Sequence, residues 1–275
     1  MTRFRASAEF TQQWRHFDFD VADGVATITL NRPEKLGALT FDVYADLRDL
    51  LAELPHRGDA RVLVITGKGR GFCSGGDVVE IIGALQSMSS GDLLEFTRMT
   101  GSVVRALREC PLPVIAAVNG IAAGAGAVIA LASDLRLLAR SAKFAFLFTK
   151  VGLSGADMGS AYLLPRVIGL GRATELLVLG DTVGSERALQ IGLATEVVED
   201  AELPAAAAAL ARRLADGPAL AYSTTKVLLT RELDMGLGAS LELDAMTQAL
   251  LMGSHDHAEY HRAWTEGRAP VWEGR

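Results

Sequence analysis

The sequence has few cysteines, few aromatic side chains and no excess of basic charge. Its 275 residues include only two cysteines, Cys73 and Cys110, and neither belongs to a Cys-X-X-Cys pair or a Cys/His cluster. Two cysteines cannot form a disulfide framework, so we expect a protein of a reducing compartment, the cytoplasm. The N-terminal segment has scattered charges and lacks the apolar stretch of a signal peptide.

The charge balance excludes several classes of partner. The 27 lysine and arginine residues are outnumbered by 33 acidic residues, which gives a net charge of −6, and aromatic residues make up 6% of the chain. Surfaces that follow nucleic-acid phosphates or anionic membranes need basic side chains. We therefore expect neither nucleic acid nor a membrane as partner, and an anionic ligand would have to be held by local groups.

One uncharged segment, residues 110–133, is long enough to span a bilayer. Pro111 and Pro113 fix its start, Asn119-Gly120 interrupts it, and Ala and Gly supply most of the rest. We interpret it as a buried strand at 114–118, a turn, and a small-residue helix over about 124–132.

The remaining chain predicts a large core built from strands and helices. Apolar residues make up 49% of positions. The patterns predict strands at 24–30, 61–67, 134–139 and 143–146, and helices from Thr40 to about Leu54, from near Gly76, and over 94–109. After about Met158 all the patterns are helical, and the last residues, 255–275, form a polar and aromatic tail that could dock on a neighbour. His255, His257 and His261 in this tail lack metal-ligand spacing, so we interpret them as surface residues.

Two glycine-rich loops, GFCSGGD at 71–77 and NGIAAGAGA at 119–127, each lead into a predicted helix. Helix N-termini have unpaired N–H groups and a partial positive charge. Two such termini aimed at one point would stabilise an oxyanion. Either loop alone is more typical of tight packing or turn geometry.

Four sequence blocks together resemble the crotonase superfamily of enoyl-CoA hydratases and isomerases. The blocks are RPEKLGALT at 32–40, GFCSGGDV at 71–78, PVIAAVNGIAAGAG at 113–126 and ADMGSAYLLPRVIGLGRATELLVLGD at 156–181. The resemblance implies an α/β fold, a crotonase-like spiral of repeated ββα units with a C-terminal helical trimerisation region. It divides the chain into an N-terminal extension (1–18), the spiral core (19–200) and a helical oligomerisation region (201–275).

The resemblance also implies an acyl-CoA substrate and a homotrimer or dimer of trimers. The thioester oxygen would accept hydrogen bonds from the N–H groups of Gly76 and Ala125, although the family usually has glycine at the second position. Coenzyme A would enter as part of the substrate, with no other cofactor and no metal. The expected substrate-binding positions are Lys35, Leu36, Ala38, Ser74, Gly76, Asp77, Val128 and Phe148.

The chain departs from the hydratase pattern at two positions. The two glutamates with which family hydratases orient and deprotonate water fall on Val128 and Phe148, and neither side chain can move a proton. Asp157 instead matches the aspartate of the dienoyl-CoA isomerases. The same region holds the nucleophilic aspartate of the chlorobenzoyl-CoA dehalogenases. The isomerase's partner glutamate falls on Thr149, and the dehalogenase's histidine falls on Gly101.

Asp157 has two interpretations at this stage. It could be an acid/base in an apolar pocket formed with Met99, Phe146, Leu147, Phe148 and Met158, or it could be the N-cap of a helix that starts at Met158. The first interpretation predicts isomerisation or atypical hydration of an acyl-CoA. Hydrolysis, C–C cleavage or substitution on an aromatic or alicyclic acyl-CoA with Asp157 is an alternative, as is a non-catalytic acyl-CoA-binding homologue. The acyl group, and whether coenzyme A or a carrier protein presents it, stay open.

Overall fold

A computed structural model of the chain describes residues 10, 11 and 13–275, and its strands form two sheets. The strands are β1 (Asp18–Ala22), β2 (Val25–Leu30), β3 (Val62–Gly67), β4 (Gly71–Cys73), β5 (Val114–Val118), β6 (Ile121–Ala123), β7 (Leu135–Ala139), β8 (Lys143–Ala145), β9 (Thr182–Gly184) and β10 (Glu196–Val198). The larger sheet has the order β1-β2-β3-β5-β7-β10, and the smaller has the order β4-β6-β8-β9.

The helices follow the strand pairs and then take over the C-terminal part of the chain. They are α1 (Phe41–Arg57), α2 (Gly83–Leu85), α3 (Ser90–Glu109), α4 (Ala125–Ala132), α5 (Ser160–Ile168), α6 (Leu170–Leu179), α7 (Ser185–Gln190), α8 (Leu203–Ala215), α9 (Ala219–Glu232), α10 (Leu237–Met252) and α11 (His255–Glu266). Three short 3-10 turns lie at Pro33–Lys35, Leu147–Val151 and Asp200–Glu202, and a π-helical turn lies at Val78–Ile82.

The ββα repeat is visible in how the chain alternates between the sheets. Strands β3, β5 and β7 belong to the larger sheet, and each is followed by a short strand, β4, β6 or β8, of the smaller sheet. The neighbours β3, β5 and β7 pair in parallel, as do β4, β6 and β8. This arrangement confirms the predicted α/β spiral of ββα units with helices at the C-terminal end.

Hydrophobic patterning explains the central elements. In β2 the buried positions alternate, whereas every residue of β5 is buried, as expected for a strand covered on both faces. Helix α1 begins after Thr40, whose side chain accepts a hydrogen bond from the Val43 N–H, and it buries the predicted apolar face. Among the described helices, none is both long and apolar enough to cross a membrane. Residues 110–133 hold β5, β6 and α4.

Several predicted elements need correction. The chain after Met158 is not purely helical, because β9 pairs antiparallel with β8 and β10 pairs parallel with β7. These strands have three residues each, too few to show a period of two. Strand β1, which pairs with β2, was not predicted. The helix expected near Gly76 begins at Val78 as the π-helical turn, which continues directly into the short α2.

The C-terminal residues also differ from the expected tail. Residues 255–266 form α11, and the chain beyond returns to this same helix. The carboxylate of Glu259 accepts a hydrogen bond from the Val271 N–H at 2.9 Å, and that of Asp256 accepts hydrogen bonds from the N–H groups of Glu273 and Gly274. The segment after α11 therefore packs on its own chain, and docking of residues 255–275 on a neighbour stays a prediction. The proposed division at residues 18 and 200 stays a prediction, and most of the extension lies outside the described residues.

Candidate active site

The first glycine-rich loop exposes the N–H of Gly76. The Leu39 N–H donates to the Gly75 carbonyl at 2.8 Å, and the Asp77 N–H donates to the Leu39 carbonyl at 2.8 Å. Residues 75 and 77 therefore face Leu39, so the Gly76 N–H points to the opposite side of this extended segment. Among the described residues, no acceptor receives it.

The second loop exposes the N–H of Ala125. Ala125 is the first residue of α4, where backbone N–H groups have no partner within the helix, and no described residue accepts this one. The unusual backbone conformation falls on the preceding Gly124, with φ 50° and ψ −121°. Ala125 itself does not have a positive φ, so alanine at this position is unstrained and keeps its N–H available.

Glycines bring the two loops into contact. A Cβ on Gly75 would lie 3.0 Å from the Ala123 carbonyl oxygen and 3.5 Å from the Ala125 nitrogen, and a Cβ on Gly126 would overlap the Cys73 carbonyl. The start of α4 can therefore pack directly on β4 and the loop that follows it. The free N–H groups of Gly76 and Ala125 belong to adjacent backbone segments, which is the arrangement that an oxyanion hole requires.

The turn at residues 33–38 packs against the first loop. Leu36 ends this turn in a left-handed conformation, φ 52°, and its carbonyl accepts the Ser74 N–H at 2.9 Å. The Ser74 hydroxyl donates to the Lys35 carbonyl at 3.0 Å. The structure thus brings together Lys35, Leu36 and Ser74, three of the predicted substrate-binding positions.

Asp77 braces this region. Its buried carboxylate accepts hydrogen bonds from the N–H groups of Val79 and Glu80 and lies 3.2 Å from the Arg32 guanidinium. The Glu80 N–H, then the Val79 N–H and the Arg32 charge hold the pKa of Asp77 below its ordinary value. Arg32 also donates to the Ala38 carbonyl and to the Glu80 carboxylate. Sequence reasoning missed Arg32, because only the fold places it beside Asp77 and Glu80.

Asp157 lies in a tight turn before α5, and its predicted role as N-cap is wrong. Helix α5 begins at Ser160 with Gly159 as its N-cap, and two left-handed residues, Met158 and Gly159, separate Asp157 from it. The carboxylate instead accepts the Met158 N–H at 2.9 Å. Partial burial raises the pKa of Asp157, and the bond from Met158 opposes that shift.

Apolar side chains occupy both positions where the hydratase glutamates were expected. Val128 is fully buried in α4, one turn after Ala125. A ring carbon of Phe148 lies 3.9 Å from the place that a Cβ on Gly124 would take, so this ring borders the second loop. Phe146, in contrast, stacks on Phe144 in the core with ring centroids 6.4 Å apart.

Comparisons with known proteins identify the family of the chain. The Enoyl-CoA hydratase/isomerase family model matches residues 20–275. The chain belongs to this family. Its solved relatives include a Streptomyces coelicolor A3(2) protein assigned to the enoyl-CoA hydratases, with 64% identity, a TM-score of 0.98 and full coverage of both chains.

Two curated relatives of this family member have more specific names. The 1,2-epoxyphenylacetyl-CoA isomerase of Escherichia coli K12 is 38% identical, over 93% of this chain and 97% of the relative. The (E)-benzylidenesuccinyl-CoA hydratase of Thauera aromatica is 33% identical, over 93% of this chain and 98% of the relative. The chain is therefore an enzyme of the enoyl-CoA hydratase/isomerase family and a crotonase superfamily member.

In the described part of this family member, no group of three or more His, Cys, Asp or Glu residues could hold a metal ion. Among the described residues, the free N–H groups could stabilise an oxyanion, and a nearby carboxylate could act as an acid or base. The substrate-binding roles of the predicted positions, Lys35, Leu36, Ala38, Ser74, Gly76, Asp77, Val128 and Phe148, stay predictions, as do the catalytic roles of Gly76, Ala125 and Asp157.

Proposed function

We propose that this enzyme isomerises an acyl-CoA through a thioester enolate, with Asp157 as the acid/base. The observation that carries the proposal is the combination of two free N–H groups on adjacent loops with a half-buried carboxylate of raised pKa. The N–H groups of Gly76 and Ala125 would bind the thioester oxygen. Asp157 would supply the proton transfer that Val128 and Phe148 cannot.

The proposed step conserves atoms and charge. The Asp157 carboxylate removes a proton from a carbon of the acyl group, and the electron pair moves through the conjugated system onto the thioester oxygen. The two N–H groups stabilise the resulting enolate. Protonated Asp157 then returns the proton to a different carbon, which shifts the double bond without changing the mass. Each oxyanion donor of this kind typically contributes about 10²–10³-fold to the rate.

Isomerisation is favoured over ordinary hydration because no carboxylate stands at the two hydratase positions to orient and deprotonate water. The similarity to 1,2-epoxyphenylacetyl-CoA isomerase supports isomerisation. By their names, both of these relatives act on acyl groups that contain an aromatic ring. We infer that an aromatic acyl-CoA is the substrate class to assay first. Atypical hydration with Asp157 is the second candidate, favoured by the similarity to the benzylidenesuccinyl-CoA hydratase.

We also infer that coenzyme A lies along the 33–38 turn and the first loop, held mainly by backbone groups. Lys35, Leu36, Ala38, Ser74, Gly76 and Asp77 would form this surface. Backbone N–H groups suit a chain of net charge −6 that must hold a polyanionic ligand. Both cysteines are buried and unpaired, which supports the expected cytoplasmic location. The homotrimer or dimer of trimers stays a proposal.

The Asp157→Asn variant tests the role of the carboxylate. Asparagine keeps the size of the side chain and cannot act as a base at neutral pH, so we expect kcat to fall about 10²–10⁴-fold while acyl-CoA binding persists. In the wild type, the rate should fall as pH decreases and Asp157 becomes protonated. Because burial raises the pKa of Asp157, this acid limb should lie above the ordinary aspartate pKa of about 3.9.

The control is Asp49→Asn, which neutralises an exposed aspartate of α1. Assays with aromatic and aliphatic enoyl-CoA and dienoyl-CoA esters, read by product mass, separate the candidates. An unchanged mass with a moved double bond indicates isomerisation, and a product heavier by one water molecule indicates hydration. Full turnover by Asp157→Asn would remove Asp157 from the mechanism, and tight binding without turnover by the wild type would indicate a non-catalytic binding protein.

A further inference from the structure

The guanidinium group of Arg32 bridges the turn before α1 and the first glycine-rich loop. One terminal nitrogen, Nη1, donates a hydrogen bond to the Ala38 carbonyl at 3.1 Å, at the end of that turn. The other, Nη2, lies 3.2 Å from the Asp77 carboxylate and donates to the Glu80 carboxylate at 3.0 Å. A single side chain therefore joins two segments that are more than forty residues apart in the sequence.

The two sides of the first loop differ in their support. Leu39 pairs with the backbone on both sides of Gly76, and these hydrogen bonds hold one edge of the segment. The chain after Asp77 packs less well, because Val78 is 69% exposed and Val79 is 75% exposed. This part of the loop needs a second anchor, and the guanidinium group supplies one.

Arginine suits this bridging role by its shape. The guanidinium group is planar and directs its N–H groups in a fixed fork, so its two terminal nitrogens reach acceptors on different segments at the same time. The Asp77 side chain is 4% exposed and that of Arg32 is 22% exposed, so water competes weakly for their contact. Such a pair holds its two segments more firmly than an ion pair between exposed side chains does.

We propose that Arg32 is a positioning residue for the first oxyanion donor: its bridge between turn and loop fixes the direction of the Gly76 N–H. The inference rests on the proposed function, because it takes this N–H as a group that binds the thioester oxygen. It also deepens that function. The turn that Arg32 holds is part of the proposed coenzyme A surface, so a ligand bound on the turn also restrains the loop that carries the donor.

The physical reason is the strict geometry of an oxyanion hole. A hydrogen bond weakens steeply when its angle falls below about 120°. A displacement of about 1 Å in a positioning group can lower a reaction rate about 10²-fold. Arg32 contacts Ala38, Asp77 and Glu80, so its effect on the chemistry passes through the Gly76 peptide. Loss of the bridge should reduce the polarisation of the thioester carbonyl in acyl-CoA that is fully bound.

The test observes the thioester carbonyl directly by ¹³C NMR. Phenylacetyl-CoA and hexanoyl-CoA, labelled with ¹³C at this carbonyl, would be bound at saturating concentrations established by calorimetry. Neither ester has an acyl double bond to move, so isomerisation and hydration do not interfere. Hydrogen bonds to the oxygen displace the ¹³C resonance downfield, and the wild type should show this displacement for at least one ester. In Arg32→Gln the displacement should fall to less than about half, because glutamine cannot span the turn and the loop.

Arg32→Lys is the second variant, and it keeps a positive charge beside the buried Asp77 carboxylate. Its single ammonium group cannot reach Ala38 and both carboxylates together, so the displacement should fall here as well. Circular dichroism and the melting temperature would show that the fold of each variant is intact. A full displacement in Arg32→Lys would show that charge alone is sufficient, which would overturn the bridging role.

Arg140→Gln is the matched control. The Arg140 guanidinium group also pairs with two carboxylates, those of Glu186 and Glu199, but its side chain is 51% exposed and these residues are not among the candidate site residues. The same substitution at this position should leave the displacement of the ¹³C resonance at the wild-type value.

The outcomes separate this inference from the proposed function. A wild-type displacement in Arg32→Gln would overturn the role of Arg32 and leave the proposed function standing. No displacement by the wild type with either ester would overturn the oxyanion hole itself, and the role of Arg32 with it. Full turnover by Asp157→Asn would instead remove the proposed acid/base, and the ¹³C result for Arg32 does not depend on it.

Discussion

Ala125 occupies the first position of α4, where a helix tolerates proline. The Ala125→Pro variant deletes the backbone N–H that is proposed to bind the thioester oxygen and leaves every functional side chain in place. We expect kcat to fall about 10²–10³-fold or more, because proline removes one oxyanion donor and its ring fills the same space. Steady-state assays and the circular dichroism spectrum would measure activity and fold together.

Two control variants accompany this change. Ser90→Pro places proline at the same first position of α3, where Ser90 is exposed, and should keep full activity. Ala125→Gly keeps the N–H and restores the usual family residue, so it should also keep the rate. A folded Ala125→Pro protein with wild-type turnover would show that this N–H does not bind the reacting oxygen.

Single residues differ in how far the sequence predicts them. The free N–H groups of Gly76 and Ala125 follow from small residues placed before a turn or helix, which is a local pattern. The turn at Asp157 does not, because a left-handed Met158 is a conformation that its residue type rarely adopts.

At the scale of elements, the N-terminus of α1 ties local structure to the site. The Thr40 side chain caps the helix that follows the 33–38 turn, and Leu39 beside it pairs with the first loop. Thr40→Ala should lower the free energy of unfolding by about 1 kcal/mol, the usual cost of losing a threonine cap. Urea denaturation followed by circular dichroism would measure this change.

Thr225→Ala is the control for the cap. Thr225 is exposed within α9 and its hydroxyl bonds only a carbonyl of the preceding turn, so alanine should change the stability by less than about 0.5 kcal/mol. Equal effects of the two substitutions would contradict the cap assignment, since both remove the same hydroxyl and methyl groups.

Element prediction succeeded where the pattern was long. Strand β2 alternates over six residues, and α1 repeats its apolar face over seventeen, so both are recognisable from sequence alone. Strands β9 and β10 have three residues each, and their pairing partners, β8 and β7, are distant in sequence. Such strands are stabilised by pairing with the edge of a sheet, and their own residues give little indication that they form a strand.

At the scale of the whole molecule, the resemblance of the four sequence blocks to a known family predicted a ββα spiral, whereas the edge strands that end each sheet became visible only in three dimensions. The larger sheet ends at β10 and the smaller at β9, and both edge strands come from the region predicted to be helical. A net charge of −6 gave no indication of a polyanionic ligand. The proposed ligand surface consists mainly of backbone N–H groups, and these do not contribute to the net charge.

The C-terminal helices leave large apolar side chains uncovered. On α10, Leu237 is 75% exposed and Leu250 is 79% exposed, and α9 and α11 expose Leu229 and Trp264. Exposed apolar surface on this scale is typical of protein–protein contacts. We propose that these helices bury their apolar side chains in a homotrimer or a dimer of trimers. The expected mass is three or six times the 29.2 kDa of the chain.

The double variant Leu237→Glu with Leu250→Glu tests this assembly, because two charges in an apolar interface are costly to desolvate. Light scattering should show a smaller species than the wild type, and the secondary structure should be retained, since both side chains are already exposed in the single chain. Leu189→Glu, on the 44% exposed Leu189 of α7, is the matched control and should keep the wild-type mass. A wild-type protein that remains monomeric at micromolar concentration, or a double variant with unchanged mass, would show that α10 is not the contact surface.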